Sequence, residues 1–165
     1  MEPILITERL ILRKLDPSDK PLVFAYRKDP EVSQYQSFVP HTLSDMNSFF
    51  SMISELPNQI DSWFQLGIET KKRNLIGDIG IHTIDEETIE IGYTLSKSYQ
   101  GQGFAYEALS GLLPFWTLRY HKNCVIAIVE TPNIPSKKLL MKLGFELEKE
   151  FVEDHVPLQQ FQKKF

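Results

Sequence analysis

At 165 residues the chain has the length of one domain and enough sequence to bury a sizeable core. With 42% hydrophobic residues, 11 Phe, 6 Tyr and 2 Trp, it is too apolar to be disordered or fibrous. The formal charge of −4 gives a polyphosphate backbone no net attraction and suits a basic or amine ligand better, while the single cysteine, Cys124, excludes an internal disulfide framework and any multi-cysteine metal site. Met1-Glu2-Pro3 shows no basic region ahead of an apolar one, and no run reaches the ~20 apolar residues of a membrane span, so a cytoplasmic protein without a membrane or nucleic-acid partner is expected. No linker, repeat or low-complexity tract divides the chain, and one domain over residues 1–165 is expected.

In chain order, Thr7 to Arg13 alternates, with Leu10 and Leu12 opposed to Arg9, Ile11 and Arg13, and predicts a strand. Asp16-Pro17-Ser18-Asp19 opens a helix to about Lys28, since Asp16 can accept from first-turn N–H groups and Pro17 stands where its missing N–H costs nothing. Asp29-Pro30 starts a shorter helical piece. Thr42, with Asp45 three residues on, starts a third, carrying Leu43, Met46, Phe49, Phe50, Ile53 and Leu56 at helical spacing as far as Pro57. The period then falls from about 3.6 to about 2, giving three antiparallel strands over Trp63–Glu69, Leu75–Thr83 and Thr88–Leu95. Gln102 to Tyr120 returns to helical spacing, with a kink expected at Pro114, which removes a backbone bond at ~3 kcal/mol. Cys124 to Val129 is apolar without alternation, as for a central strand covered on both faces, and Cys124 itself reads as a small buried residue. Asn133 to Leu143 forms a helix ended by Gly144, and Phe145–Val152 with Val156–Phe161 form a closing hairpin. The class is mixed α/β.

The most informative stretch runs from Tyr93 through Leu95, Gln100, Gly101, Gln102 and Gly103 to Phe104 and Ala105, a strand entering a helix through a loop with two glycines. The free N–H groups of such a helix start point at one spot, the macrodipole makes it positive, and glycines admit a phosphate closely. Three readings are open. The glycines serve only the turn; or Gly101-Gln102-Gly103 begins a dinucleotide fingerprint, with Tyr106 in place of its third glycine and Glu130 as the ribose acid; or the loop binds another phosphorylated cofactor. Downstream, Asn133-Ile134-Pro135-Ser136 places two polar side chains on one side of a first helical turn, ahead of Lys142-Leu143-Gly144-Phe145.

Together with Gln100-Gly101-Gln102-Gly103-Phe104-Ala105, these residues resemble the acetyl-CoA-binding signatures of the GNAT superfamily of N-acetyltransferases. Thr7 to Arg13, Asp29-Pro30-Glu31-Val32, Leu75 to Gly80 and Glu90-Ile91-Gly92-Tyr93 resemble its RimJ/RimL branch of ribosomal-protein N-terminal acetyltransferases, so the resemblance covers about Leu5 to Gln160. It implies a mixed, mostly antiparallel sheet with splayed parallel strands at the cofactor site and helices on both faces. It also implies acetyl-CoA as cosubstrate and acetyl transfer to a primary amine by direct attack. The CoA pyrophosphate would sit on backbone N–H groups of Gln100, Gly101, Gln102, Gly103, Phe104 and Ala105. The pantetheine would lie along Tyr93 to Leu95, opposite Val125 to Glu130, with Leu95 N–H polarising the thioester carbonyl. Asn133 would hold the pantetheine, Ser136 would stand by the leaving thiolate, Lys137 and Lys138 would meet the ribose phosphate, and Glu90 would take the amine proton.

Read without the resemblance, Ser136 is a helix-start serine bonding its own backbone, Glu90 an exposed strand carboxylate and the lysines solvated. The acceptor would be walled by Ser33–Thr42, carrying Tyr35, Gln36, Phe38 and His41, and by Glu153–Phe165, carrying Glu153, Asp154 and His155. His41, His82, His121 and His155 have no metal-ligand spacing, and no metal is assigned. A catalytically silent acyl-CoA sensor and a dinucleotide-dependent oxidoreductase are the alternatives, and a homodimer stays open.

Overall fold

The computed structural model describes residues 1–165. Eight strands form one sheet: β1 (Pro3–Ile6), β2 (Leu10–Lys14), β3 (Ser62–Thr70), β4 (Leu75–Thr83), β5 (Thr88–Leu95), β6 (Cys124–Glu130), β7 (Glu146–Glu153) and β8 (Val156–Lys164), in spatial order β1-β2-β3-β4-β5-β6-β8-β7. Every neighbouring pair is antiparallel except β5 and β6. This rules out the doubly wound parallel sheet that the dinucleotide reading needs.

Helices α1 (Lys20–Arg27), α2 (Pro30–Ser33) and α3 (Asp45–Ser51) precede β3, α4 (Phe104–Arg119) precedes β6, and α5 (Ile134–Lys142) precedes β7. The larger apolar cluster joins one sheet face, through Leu10, Leu66, Ile79, Ile89 and Val125, to Leu109, Leu112 and Trp116 of α4 and Leu140 of α5. A smaller cluster of Leu15, Val23, Tyr26, Val32 and Met46 lies under α1 to α3.

On that second side α1 is docked by a polar knot. Asp78, fully buried on β4, accepts from Tyr26 Oη, from Arg27 Nη2 at 2.6 Å and from Gln65 Nε2 at 2.6 Å. A buried carboxylate persists only with such partners. A second knot fixes the start of α1: Arg13 donates to Asp19 at 2.7 Å and to Glu69 at 2.9 Å.

Several expectations change. The predicted strand Thr7–Arg13 is instead the turn and second strand of a hairpin, preceded by the short β1. Its second face is buried too, because Arg13 is held under the chain that leads into α1. The helix predicted from Asp16 begins as a single 3₁₀ turn, Pro17–Asp19, with Asp16 accepting from Ser18 N–H as its cap. The third helix stops at Ser51, and Leu43 and Leu56 are exposed. Helix α4 continues through Pro114, which faces solvent, so the proline does not end it. Cys124 is buried as expected, but β6 is not covered on both faces: Val125, Ala127 and Val129 enter the core, whereas Ile126, Ile128 and Glu130 are half-buried.

Candidate active site

The parallel seam between β5 and β6 consists of three pairs, Thr88–Cys124, Ile89–Val125 and Glu90–Ile126, after which the strands separate. A cleft of about 830 Å³ opens there, lined on one side by Tyr93 to Leu95 and on the other by Ala127 to Glu130. In the β4–β5 ladder, Ser96 N–H bonds Ile76 O and Ile84 N–H bonds Thr88 O. By the alternation of an antiparallel pair, Tyr93 and Leu95 therefore turn their N–H and C=O groups away from β4 and toward the gap. Side chains reach those carbonyls: Gln36 Nε2 donates to Tyr93 O at 3.4 Å and Gln100 Nε2 to Leu95 O at 2.9 Å.

At the end of β5 the loop enters α4 through Gly101, at φ +73°, and Gly103, at φ +80°. The first helical bond runs from Glu107 N–H to Gly103 O, which leaves the N–H groups of Phe104, Ala105 and Tyr106 without intrahelical partners. The loop is braced from outside. Arg9 donates to Gln102 O at 3.0 Å, lies 4.2 Å from the Phe104 ring centroid, and is held through its Nε by Glu107 at 2.6 Å. Burial raises the Glu107 carboxyl, but donation from Thr7 Oγ1 and from the Arg9 backbone and guanidinium outweighs it and holds the group below its ordinary value.

Ser136, on the first turn of α5, meets Tyr93 across the cleft, with the two hydroxyls 2.5 Å apart. It therefore does not bond its own backbone. Burial pushes the Tyr93 phenol up to about 12, against a smaller lowering by the Ser136 hydrogen bond, so it stays protonated near neutrality. Asn133 Oδ1 accepts from Ser136 N–H at 3.3 Å and caps α5.

Glu90 stands on the opposite face of β5 from Tyr93, because Ile89 and Ile91 enter the main core and strand side chains alternate. Gly92 shares its face, and a Cβ there would meet nothing within 4 Å, so the floor beside Glu90 is open. His82 Nδ1 lies 3.4 Å from Glu90 Oε2, and the His82 ring stacks on Trp63 at 4.9 Å and 14°.

Of the residues singled out in the sequence, Glu90, Tyr93, Leu95, Gln100, Gly101, Gly103, Phe104, Ala105, Asn133 and Ser136 all line this cleft. Gln102 does not; its carbonyl is taken by Arg9, and its Nε2 donates to Ser98 O at 2.7 Å. Lys137 and Lys138 also lie outside the lining, and the lysines in it are Lys142, whose Nζ sits 4.3 Å over the Tyr106 ring, and Lys97, paired with Glu31 at 3.1 Å. Tyr35, Gln36 and Glu153, expected at the acceptor, are among the residues that line the cleft. Phe38 instead stacks on Phe49 at 5.3 Å, and the His41 N–H donates to Asp45. Asp154 and His155 are the positive-φ residues of the β7–β8 turn.

Sequence reading missed Trp63, the Tyr93 hydroxyl and the Arg9 brace. It also missed the His82 contact, which had a findable signal: the three-residue turn Asp85–Glu87, closed by Ile84 against Thr88, sets His82 opposite Glu90.

Residues 9–146 match the model of the acetyltransferase (GNAT) domain family. The uncharacterized N-acetyltransferase p20 of Bacillus licheniformis is 37% identical over 149 residues, 87% of this chain and 83% of that protein. A Salmonella typhimurium acetyltransferase described as modifying the N-terminal serine of ribosomal protein L7/L12 superposes with a TM-score of 0.85 at 18% identity, covering 99% of each chain. Spermidine N-acetyltransferase from Vibrio cholerae, solved with CoA and spermine, superposes with a TM-score of 0.81 at 16% identity, covering 94% of this chain and 95% of its own.

Proposed function

The chain belongs to the GNAT acetyltransferase family, and from that premise we propose that it transfers the acetyl group of acetyl-CoA to a primary amine, the two substrates meeting in the gap between β5 and β6. The observation that carries this reading is the arrangement around that gap: an anion-binding helix start at one end, two hydroxyls on one face and a carboxylate on the other. The residues fit a CoA thioester, because the loop offers N–H groups with φ-positive glycines beside them and the strand edge offers the N–H groups of Tyr93 and Leu95.

Acetyl-CoA supplies an electrophilic carbonyl and a thiolate leaving group. The N–H groups of Phe104 and Ala105 bind its diphosphate, and Leu95 N–H donates to the carbonyl oxygen as negative charge gathers there. Glu90 takes a proton from the amine, which approaches from the Tyr35, Gln36 and Trp63 side. Either hydroxyl of the Tyr93–Ser136 pair can donate; with Tyr93 O–H donating to Ser136 Oγ, the Ser136 hydrogen is free for the departing sulfur. Lys142, over Tyr106, replaces Lys137 and Lys138 as the cation for the ribose phosphate.

The structural relatives act on a protein N-terminus in one case and carry a polyamine in the other, so both define the first acceptor panel. Thiol release from acetyl-CoA, measured with spermidine, serine-initiated peptides and small amines, is expected for at least one acceptor. Tight CoA binding with silence across the panel would favour the acyl-CoA sensor instead.

A further inference from the structure

We propose that His82 is the positioning residue for Glu90, an assignment that rests on Glu90 being the group that takes the amine proton. Three adjacent strands deliver the arrangement. Trp63 on β3 pairs with His82 on β4, and His82 pairs with Glu90 on β5, so the three side chains stand in a row on one face of the sheet. Trp63 stacks on the imidazole at 4.9 Å with the rings 14° apart, which fixes the ring plane. The ring then aims Nδ1 at Glu90 Oε2, 3.4 Å away, with both side chains 23% exposed.

No other side chain or backbone group hydrogen-bonds the Glu90 carboxylate, and no other ion pair involves His82 or Glu90. Trp63 and Glu90 line the cleft while His82 does not, so His82 acts through the carboxylate and not on the acceptor. Contacts of this kind are commonly long until a substrate tightens them.

With Nδ1–H donating to Oε2, the other carboxylate oxygen, Oε1, is left free for the amine. The amine N–H proton passes to Oε1, and the nitrogen lone pair forms the N–C bond. The C–S bond breaks, and the thiolate takes a proton from Ser136. Glu90 returns its proton to water and Ser136 is reprotonated from water, so the exchange balances.

Two variants separate position from packing. His82→Phe keeps a flat ring against Trp63 but removes the donor; His82→Asn restores a donor near Nδ1 but loses the stack. The expected result is a kcat about 10-fold lower for His82→Phe with the KM for acetyl-CoA unchanged, and recovery of most of that loss in His82→Asn. Wild-type kcat in folded His82→Phe, or equal losses in both variants, overturns the assignment. A second readout needs no turnover: ¹⁵N NMR of the imidazole, assigned by its loss in His82→Phe, should show the Nδ1–H tautomer. An Nε2–H tautomer overturns the positioning role. Absence of turnover by the wild-type protein with every amine, alongside an Nδ1–H tautomer, would instead sink the proposed function.

Discussion

Gly103 shows how much one residue can decide. At φ +80° a side chain is strained whatever the space around it, and its Cβ would also stand 3.4 Å from Arg9 Nη2. Gly103→Val should therefore weaken CoA binding at least tenfold and, through left-handed strain of about 1–3 kcal/mol, lower the melting temperature as well. Calorimetric titration with CoA and a thermal melt measure the two effects, and unchanged CoA affinity would remove the loop from the binding site. The two glycines were legible as a turn beside a helix start because glycine adopts left-handed φ freely, and both do so, at φ +73° and +80°. Across the cleft, Ser136→Ala should lower kcat by about 10–100-fold and leave acetyl-CoA affinity intact, since a thiolate leaves tolerably without an acid. Tyr93→Phe should lower it less, as Ser136 keeps its own hydrogen. Glu90→Gln should lose most rate at low pH, where the amine is largely protonated and must be relieved of its proton, and recover partly as pH rises. A profile parallel to wild type would return Glu90 to a structural role.

Elements were legible where periodicity was long and illegible where a partner elsewhere in the chain sets the boundary. The meander β3–β5 and the helices α4 and α5 lie where alternation and helical spacing put them. The four-residue β1 carries a proline and too few residues to alternate, and it exists by pairing with β2. The stretch Leu43–Leu56 has a helical apolar pattern, yet only Met46 of it is fully buried, because α3 crosses α1 briefly and the chain then leaves for β3. Pro114 stands inside a helix that it does not break. Its ring faces solvent on the outer side of α4, where carbonyls already tilt toward water, so the helix continues through it. The missing N–H still leaves the Ser110 carbonyl one bond short. Pro114→Ala should therefore stabilise the protein by about 1–2 kcal/mol, the proline cost of about 3 kcal/mol being offset in part by the freedom alanine returns to the unfolded chain. Chemical denaturation would show the gain as a higher midpoint with unchanged slope. A loss of stability would mean that the helix depends on a bend at this position.

In the whole molecule, the antiparallel unit β1 to β5 and the unit β6, β8 and β7 share one apolar cluster but only a three-pair parallel seam. The mostly antiparallel sheet, the helices on both faces and the splay follow from the resemblance read in the sequence; the placing of β8 between β6 and β7 does not. What could not be read is why the seam ends at Glu90–Ile126. Beyond it β6 keeps its ladder with β8 as far as Glu130–Leu158, while β5 stays with β4 to Leu95–Gly77, so each strand follows its antiparallel partner and the gap widens between them. A ligand that pairs with the free edge at Tyr93 and Leu95 and reaches the starts of α4 and α5 therefore touches both units and binds only when both are folded. At a concentration 100 times its Kd, such a ligand stabilises the folded state by about 2.7 kcal/mol. At roughly 2–4 °C per kcal/mol for a chain of this size, CoA or acetyl-CoA should raise the melting temperature by about 5–10 °C. NAD and NADP should not, since the sheet has no switch point between parallel strands of the kind that holds a dinucleotide. A thermal-shift series over the four cofactors measures this, and a rise with NAD that matches or exceeds the rise with CoA would mean that the gap between β5 and β6 is not a CoA site.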